Sequence, residues 1–288
     1  TIMFDRKKYK QFAKLQLKGR WTVPVLMTLV ALIINVIFSL PEYINYPYEQ
    51  LLAAIQQGDF YAVVNFFYNS DSQISNTPFI LSIIHTLVTF VLTFVCVRIY
   101  IRLSQSPDKV SFSDYLQNFN YWGRGILVGL WKFLWLIIWS LIILPITFIC
   151  AFIIVMFETP KIMAGGDINE ILIAPTLILT VIILVLLTII RIVKGLSYSM
   201  AELIAAEHEK CTITQALNIS KKITKGHKKE LFLMYLSFIL WYLLCIITLN
   251  IASLWVSPYI AMTKVNAYHA LLKNAFEENL IHVEDFEE

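Results

Sequence analysis

Residues 212–259 read TITQALNISKKITKGHKKELFLMYLSFILWYLLCIITLNIASLWVSPY. The stretch begins as a basic amphipathic helix, stops at Gly226 and becomes an apolar run from Leu231 to Leu249. Helical spacing puts Ile213, Ala216, Leu217 and Ile223 on one face, and Thr214, Asn218, Lys221, Lys222 and Lys225 on the other. Thr212 with Gln215 reads as a capping box, and Gly226 suits the left-handed position after the last helical turn. The run that follows is long enough for a hydrocarbon core of ~30 Å. A helix on the membrane surface therefore feeds a helix that crosses it.

Composition places the whole chain in the same class. Of 288 residues, 58% are hydrophobic and 15% charged, against about 45–50% and about 25% for a soluble domain. Mean hydropathy is +0.68. The fold class is all-α, a polytopic helical membrane protein in a single membrane domain, with no room for a separate soluble enzyme domain. Cys96, Cys150 and Cys245 lie in apolar runs and Cys211 in a basic segment, without a C-x-x-C pair. They make neither a disulfide framework nor a zinc site.

Outward from the opening stretch the plan repeats. Residues 5–20 form a surface helix, with Tyr9, Phe12, Ala13 and Leu17 opposite Lys7, Gln11, Lys14 and Lys18. Basic side chains opposite apolar ones suit an anionic leaflet. The first span, 23–40, reads as retained rather than cleaved. Residues 41–78 are an aromatic external connection free of lysine and arginine, with short helices expected at Tyr48–Gln57 and Phe60–Tyr68. The second span, 79–101, carries His85. A second surface helix over 111–122, closed by Gly123–Arg124, precedes an apolar run over 126–157. That run is too long for one straight crossing and has Pro145 near its middle, and Lys132 is expected to snorkel toward Arg124. Spans at 172–190, 231–249 and 252–272 complete about six, the last interrupted by Pro258, Lys264 and Asn266. The acidic tail, 277–288, is expected to be mobile.

Charge sets the orientation. The amino-terminal segment and the segments after the second and fourth spans hold nearly all the lysine and arginine, whereas Lys161 alone lies in the intervening connections. Positive charge stays inside, so both termini are expected in the cytoplasm. Lys18-Gly19-Arg20, Trp122-Gly123-Arg124 and Lys225-Gly226-His227 each stand between a surface helix and a span.

These residues carry a family resemblance. LFLMYLSFILWYLLCIITL followed by LWVSPY, with AKLQLKGRW at 13–21, SFSDYLQNF at 111–119 and YSMAELIAAE at 198–207, resembles the bacterial integral membrane proteins of domain-of-unknown-function family 975. The chain departs from that pattern by an inserted segment containing the fourth span, and by Asn250 where a glycine is usual. The layout is also similar to the membrane part of some glycerophosphodiester phosphodiesterases, which implies a lipid setting. The resemblance brings no catalytic residues.

Chemistry-bearing groups are few. Glu202, Glu207, His208, Glu209 and Cys211 form a cluster without the H-E-x-x-H spacing and read as a solvated turn. Neither a phosphate loop nor a nucleophile elbow occurs, and no catalytic, metal or cofactor residues are expected. The basic faces lack the layout of nucleic-acid binders. The leading reading is a non-enzymatic lipid-binding or membrane-organising protein. Its candidates for anionic headgroups are Lys7, Lys14, Lys18, Lys221, Lys222, Lys225, Lys228 and Lys229. Association with a second copy or another membrane protein stays open. The alternative is a small-molecule transporter or channel, whose polar site would use His85, Asn35, Ser140 and Thr147, with Lys264 on the path. An intramembrane enzyme ranks third.

Overall fold

Asp5 starts the first helix, α1 (Arg6–Leu17), by accepting hydrogen bonds from the Lys7 and Lys8 amides. The structure, a computed structural model, describes residues 4–45, 48–58, 61, 62, 66, 79–141, 145, 148, 149, 152 and 168–286. Described elements are helical throughout. The first three after α1 are α2 (Thr22–Asn45), α3 (Tyr48–Gln56) and α4 (Phe79–Gln105). Then come α5 (Phe112–Gln117), a 3-10 turn over Asn118–Tyr121, α6 (Trp122–Leu141) and α7 (Ile168–Ser197). The last are α8 (Ala201–Glu207), α9 (Ile213–Thr224), α10 (Lys228–Leu236), α11 (Ile239–Ile247) and α12 (Ser253–Glu277). Much of the expected Phe60–Tyr68 helix, of the 126–157 run beyond Leu141 and of the 158–170 connection lies outside the described residues.

Among the described residues, five stretches are long and apolar enough to cross a membrane: Thr22–Pro41, Ile80–Gln105, Phe112–Trp139, Val181–Glu207 and Lys228–Ile247. Their outward side chains, such as Ile33, Val36 and Ile37 on α2 and Leu240, Ile246 and Ile247 on α11, are exposed, as lipid-facing residues are. The 252–272 run, expected as a sixth span, is not among the five. It forms most of α12, which runs unbroken past Pro258, Lys264 and Asn266. Helix α12 is the centre of the bundle: Val256, Met262, Val265, Tyr268 and Leu271 are buried, and α1, α2, α4 and α9 pack around it. Lys264 and Asn266 are therefore inward-facing groups with protein partners.

The amphipathic helices dock on protein. Tyr9, Ala13 and Leu17 of α1 are buried, α1 lies along α12, and Asn266 Nδ2 donates to Gln16 Oε1 at 2.8 Å. The predicted capping box of α9 is present, and Gly226 has φ +87° after the helix end. The apolar face of α9, however, meets α8 rather than lipid. Ser220 locks this hairpin: its hydroxyl donates to the Ser197 carbonyl at 2.8 Å and accepts from the Met200 amide at 3.2 Å. Gly123 departs from the proposed repeat, because it lies inside α6 instead of closing the preceding helix.

The apolar run 231–249 is not one helix. Helix α10 ends at Leu236 and α11 begins at Ile239, with neither glycine nor proline at the break. Helix α1 supplies a donor at the break: Lys10 Nζ donates to the Ser237 carbonyl at 3.1 Å, and Arg6 adds a second donor, at 3.4 Å, to the Leu233 carbonyl that already accepts from the Ser237 amide. Lys10 also sits 4.0 Å over the Phe238 ring. The carboxy-terminal tail, expected to be mobile, is packed as far as Phe286. Ile281 and Phe286 are buried, the Phe286 ring lies 4.2 Å from that of His208, and Lys222 meets Asp285 at 3.3 Å.

Helices α4 and α6 approach closely through glycines. A Cβ on Gly125 would lie 2.9 Å from Phe94 Cβ, and one on Gly129 would collide with the Phe90 ring, whereas one on Gly123 would meet nothing within 4 Å. Gly125→Ala and Gly129→Ala should each lower stability by about 1–3 kcal/mol through overpacking. Gly123→Ala should be neutral or stabilising by up to about 1 kcal/mol. Thermal unfolding in detergent, followed by tryptophan fluorescence, orders the three.

Candidate functional site

Helix α8 is short and buried, so its last carbonyls cannot turn to water. Arg124 from α6 donates to the carbonyls of Ala205 at 2.9 Å, His208 at 3.0 Å and Cys211 at 2.5 Å. Arg98 from α4 donates to the Ala206 carbonyl at 3.1 Å and to Glu209 Oε1 at 2.8 Å, with its guanidinium 3.7 Å over the Tyr121 ring. The Arg98 contact holds the Glu209 carboxyl below its ordinary pKa. Glu207 accepts from Tyr268 Oη at 2.6 Å and from Gln105 Nε2 at 2.5 Å. The segment read as a solvated turn is thus an ordered knot, with Cys211 fully buried. Burial lowers the pKa of His208. No group of three or more metal-ligating side chains occurs among the described residues.

At the other end of α8, Glu202 is shared by two lysines. Lys132 Nζ lies 2.8 Å from Oε1 and Lys264 Nζ 3.6 Å from Oε2, and all three side chains are largely buried. Lys132 was expected to snorkel outward. It turns inward because a buried carboxylate offers stronger compensation than the membrane surface. Two ammonium groups and one carboxylate leave a surplus positive charge.

That charge borders a groove of about 410 Å³ between α2, α4 and α12. The groove exists because α12 presents small residues at helical spacing, Ser253, Ser257 and Ala261, before reaching Lys264. Met27, Ala31 and Leu32 from α2 and Leu92 and Val97 from α4 supply apolar wall. Thr28 and Thr89 satisfy their hydroxyls on carbonyls one turn back in their own helices, at 2.9 Å each. Asn35 also lines the groove.

Asn35 and His85, proposed from sequence as intramembrane polar groups, come together. Asn35 Nδ2 donates to the Ala31 carbonyl at 2.8 Å, so its Oδ1 accepts from His85 Nε2 at 2.8 Å. Phe38 stacks on the imidazole at 4.9 Å. The pair ties α2 to α4. Ser140 belongs to α6 but its side chain is outside the described residues, as is Thr147.

The basic candidates divide. Lys221 lies 5.0 Å over Trp135 and 5.4 Å over Tyr198, Lys194 lies 3.3 Å over Trp139, and Lys221 and Lys228 are both near enough to repel Lys194. Lys225 and Lys229 are exposed beside them in sequence, and Lys222 is held by Asp285. On α1, Lys7 and Lys18 are exposed and Lys14 lies 5.6 Å over Tyr259. Lys194 completes the aromatic belt. In the sequence it is one of the basic residues after the fourth span, and nothing local places it against Trp139.

Residues 3–275 match the family described as "Protein of unknown function (DUF975)", and the chain belongs to that family. No curated protein and no solved structure matches the chain.

Glu202→Gln should destabilise the protein more than Lys264→Gln. The first leaves two ammonium groups facing each other, at about 2–3 kcal/mol after allowing for partial exposure of a pair whose full burial would make it ~3–5. The second leaves the Lys132–Glu202 contact intact, at below ~1 kcal/mol. Thermal shift of both variants in one detergent tests the ranking, and a larger loss for Lys264→Gln would contradict it.

Proposed function

We propose that this member of the family is a non-enzymatic lipid-binding protein of the bacterial cytoplasmic membrane, acting through its basic, aromatic belt on anionic headgroups. The observation that carries the reading is the placement of Lys194 over Trp139 and of Lys221 over Trp135 and Tyr198, with the Lys228 charge close to Lys194. Tryptophan and tyrosine favour the headgroup level, and each lysine near an anionic surface contributes about 1 kcal/mol. Lys7, Lys14 and Lys18 extend the same chemistry on α1. Both termini are cytoplasmic in this reading, which has α12, within the bundle, return the chain across the membrane as a sixth crossing. Support comes from the charge asymmetry and from the packing of α1 on α12, which sets the two ends of the chain together. The second reading, a small-molecule transporter, draws on the polar edge that Asn35, Ser253 and Ser257 give the groove.

In nanodiscs formed from mixed anionic and zwitterionic lipid, the protein should retain an excess of anionic lipid over the input ratio. Replacing Lys194, Lys221, Lys225 and Lys228 with glutamine, or raising salt, should return the ratio to that of the mixture. An unenriched wild type would overturn the proposal. For orientation, single cysteines at Ser72 and Lys229 in a cysteine-free background should label from opposite sides. Same-side labelling would contradict the cytoplasmic placement of both ends.

A further inference from the structure

The groove has a different character from the belt. It is walled by two helices apolar enough to cross a membrane, α2 and α4, and by the small-residue face of α12. At its border stands an ammonium group whose compensation is incomplete. Lys264 has three N–H donors. Its contact with Glu202 Oε2, 3.6 Å, is outside the roughly 2.7–3.2 Å of an N–H···O bond, whereas Lys132 meets the other carboxylate oxygen at 2.8 Å. Glu202 also lines the groove, but its charge is met by Lys132. That leaves Lys264 as the under-neutralised cation at the end of a partly apolar wall, an arrangement that suits an amphiphile with an anionic head.

We propose that the groove binds a long-chain carboxylate, with its acyl chain along the α2–α4 wall and its carboxylate on Lys264. Charge selects the head: the triad carries one surplus positive charge, which a single carboxylate neutralises. Lys264 already faces a carboxylate, that of Glu202, so a ligand carboxylate reproduces the existing chemistry at a shorter distance. Size selects the tail. At about 410 Å³ the groove is near the lower end of the ~300–1,000 Å³ of ligand pockets, which suits one chain better than the two of a phospholipid. Ser253 and Ser257 add hydroxyls along the α12 side, and Ser257 stands two turns before Lys264 on the same helix. Nothing in this site depends on the basic belt.

Radiolabelled palmitate binding to the detergent-purified full chain tests the proposal. Wild type should bind saturably, with hexadecanol, the uncharged analogue, a poor competitor. Lys264→Met should weaken binding by about tenfold or more, as loss of a charge-assisted contact does, and Lys264→Arg should retain most of it. Ser257→Trp fills the groove and should abolish binding although Lys264 remains, while Ser257→Ala, which removes only a wall hydroxyl, should cost less than Lys264→Met. The belt variant with Lys194, Lys221, Lys225 and Lys228 replaced by glutamine should bind palmitate normally even where it has lost its preference for anionic lipid. Failure of one reading is thereby separated from failure of the other. Absence of saturable binding, equal competition by hexadecanol, or binding unchanged in both Lys264→Met and Ser257→Trp would overturn the inference. Stronger competition by phosphatidic acid than by palmitate would replace the carboxylate with a phosphate head and equally overturn it.

Discussion

A seven-residue helix buried on every side has terminal carbonyls that water cannot reach, and each must find a donor within the protein. Helix α8 is in this position, and the bundle is arranged around its needs. Arg124 of α6 and Arg98 of α4 take the carbonyls at its carboxy-terminal end. Positive charge there is also favoured by the helix dipole. Lys132 of α6 and Lys264 of α12 meet Glu202 in its first turn. Three helices that share no local sequence relation are thereby held to one short segment, and the relative placement of α4, α6 and α12 follows.

The same logic recurs at the break between α10 and α11. An interrupted helix exposes carbonyls, and Lys10 of α1 supplies a donor to that of Ser237, with Arg6 adding a contact one turn earlier. The amino-terminal helix is therefore an integral part of the bundle, while its outer lysines remain free to face an anionic leaflet. Cations serve two purposes in this protein. Those that reach carbonyls or Glu202 organise the interior, and those stacked on Trp135, Trp139 and Tyr198 form the belt. The groove arises between these systems, where Ser253, Ser257 and Ala261 are too small to fill the space between α2 and α4.

Much of the candidate chemistry was visible as residue types and invisible as an arrangement. His85 and Asn35 stood out because polar groups are rare in apolar runs, yet their mutual hydrogen bond depends on how α2 leans on α4. Glu202 was grouped with Glu207, His208 and Glu209 by proximity in sequence. In space it belongs with Lys132 and Lys264, far away along the chain. Lys264 looked like an interruption of a span, and it borders the groove.

What the sequence determined by itself was local and periodic: the all-α class, the apolar helices, the Thr212–Gln215 cap and the glycine stop at Gly226. Each depends on residues within a few positions of one another, so a single strand of text contains it. Only the tertiary structure decided that α12 fills the bundle centre, that the apolar face of α9 meets α8, that the 231–249 run breaks at Ser237, and that the tail packs through Phe286. An apolar face has the same pattern whether lipid or protein covers it. The carbonyls freed at a break or a short helix end are answered by cations from distant segments, and helical periodicity carries no record of that pairing.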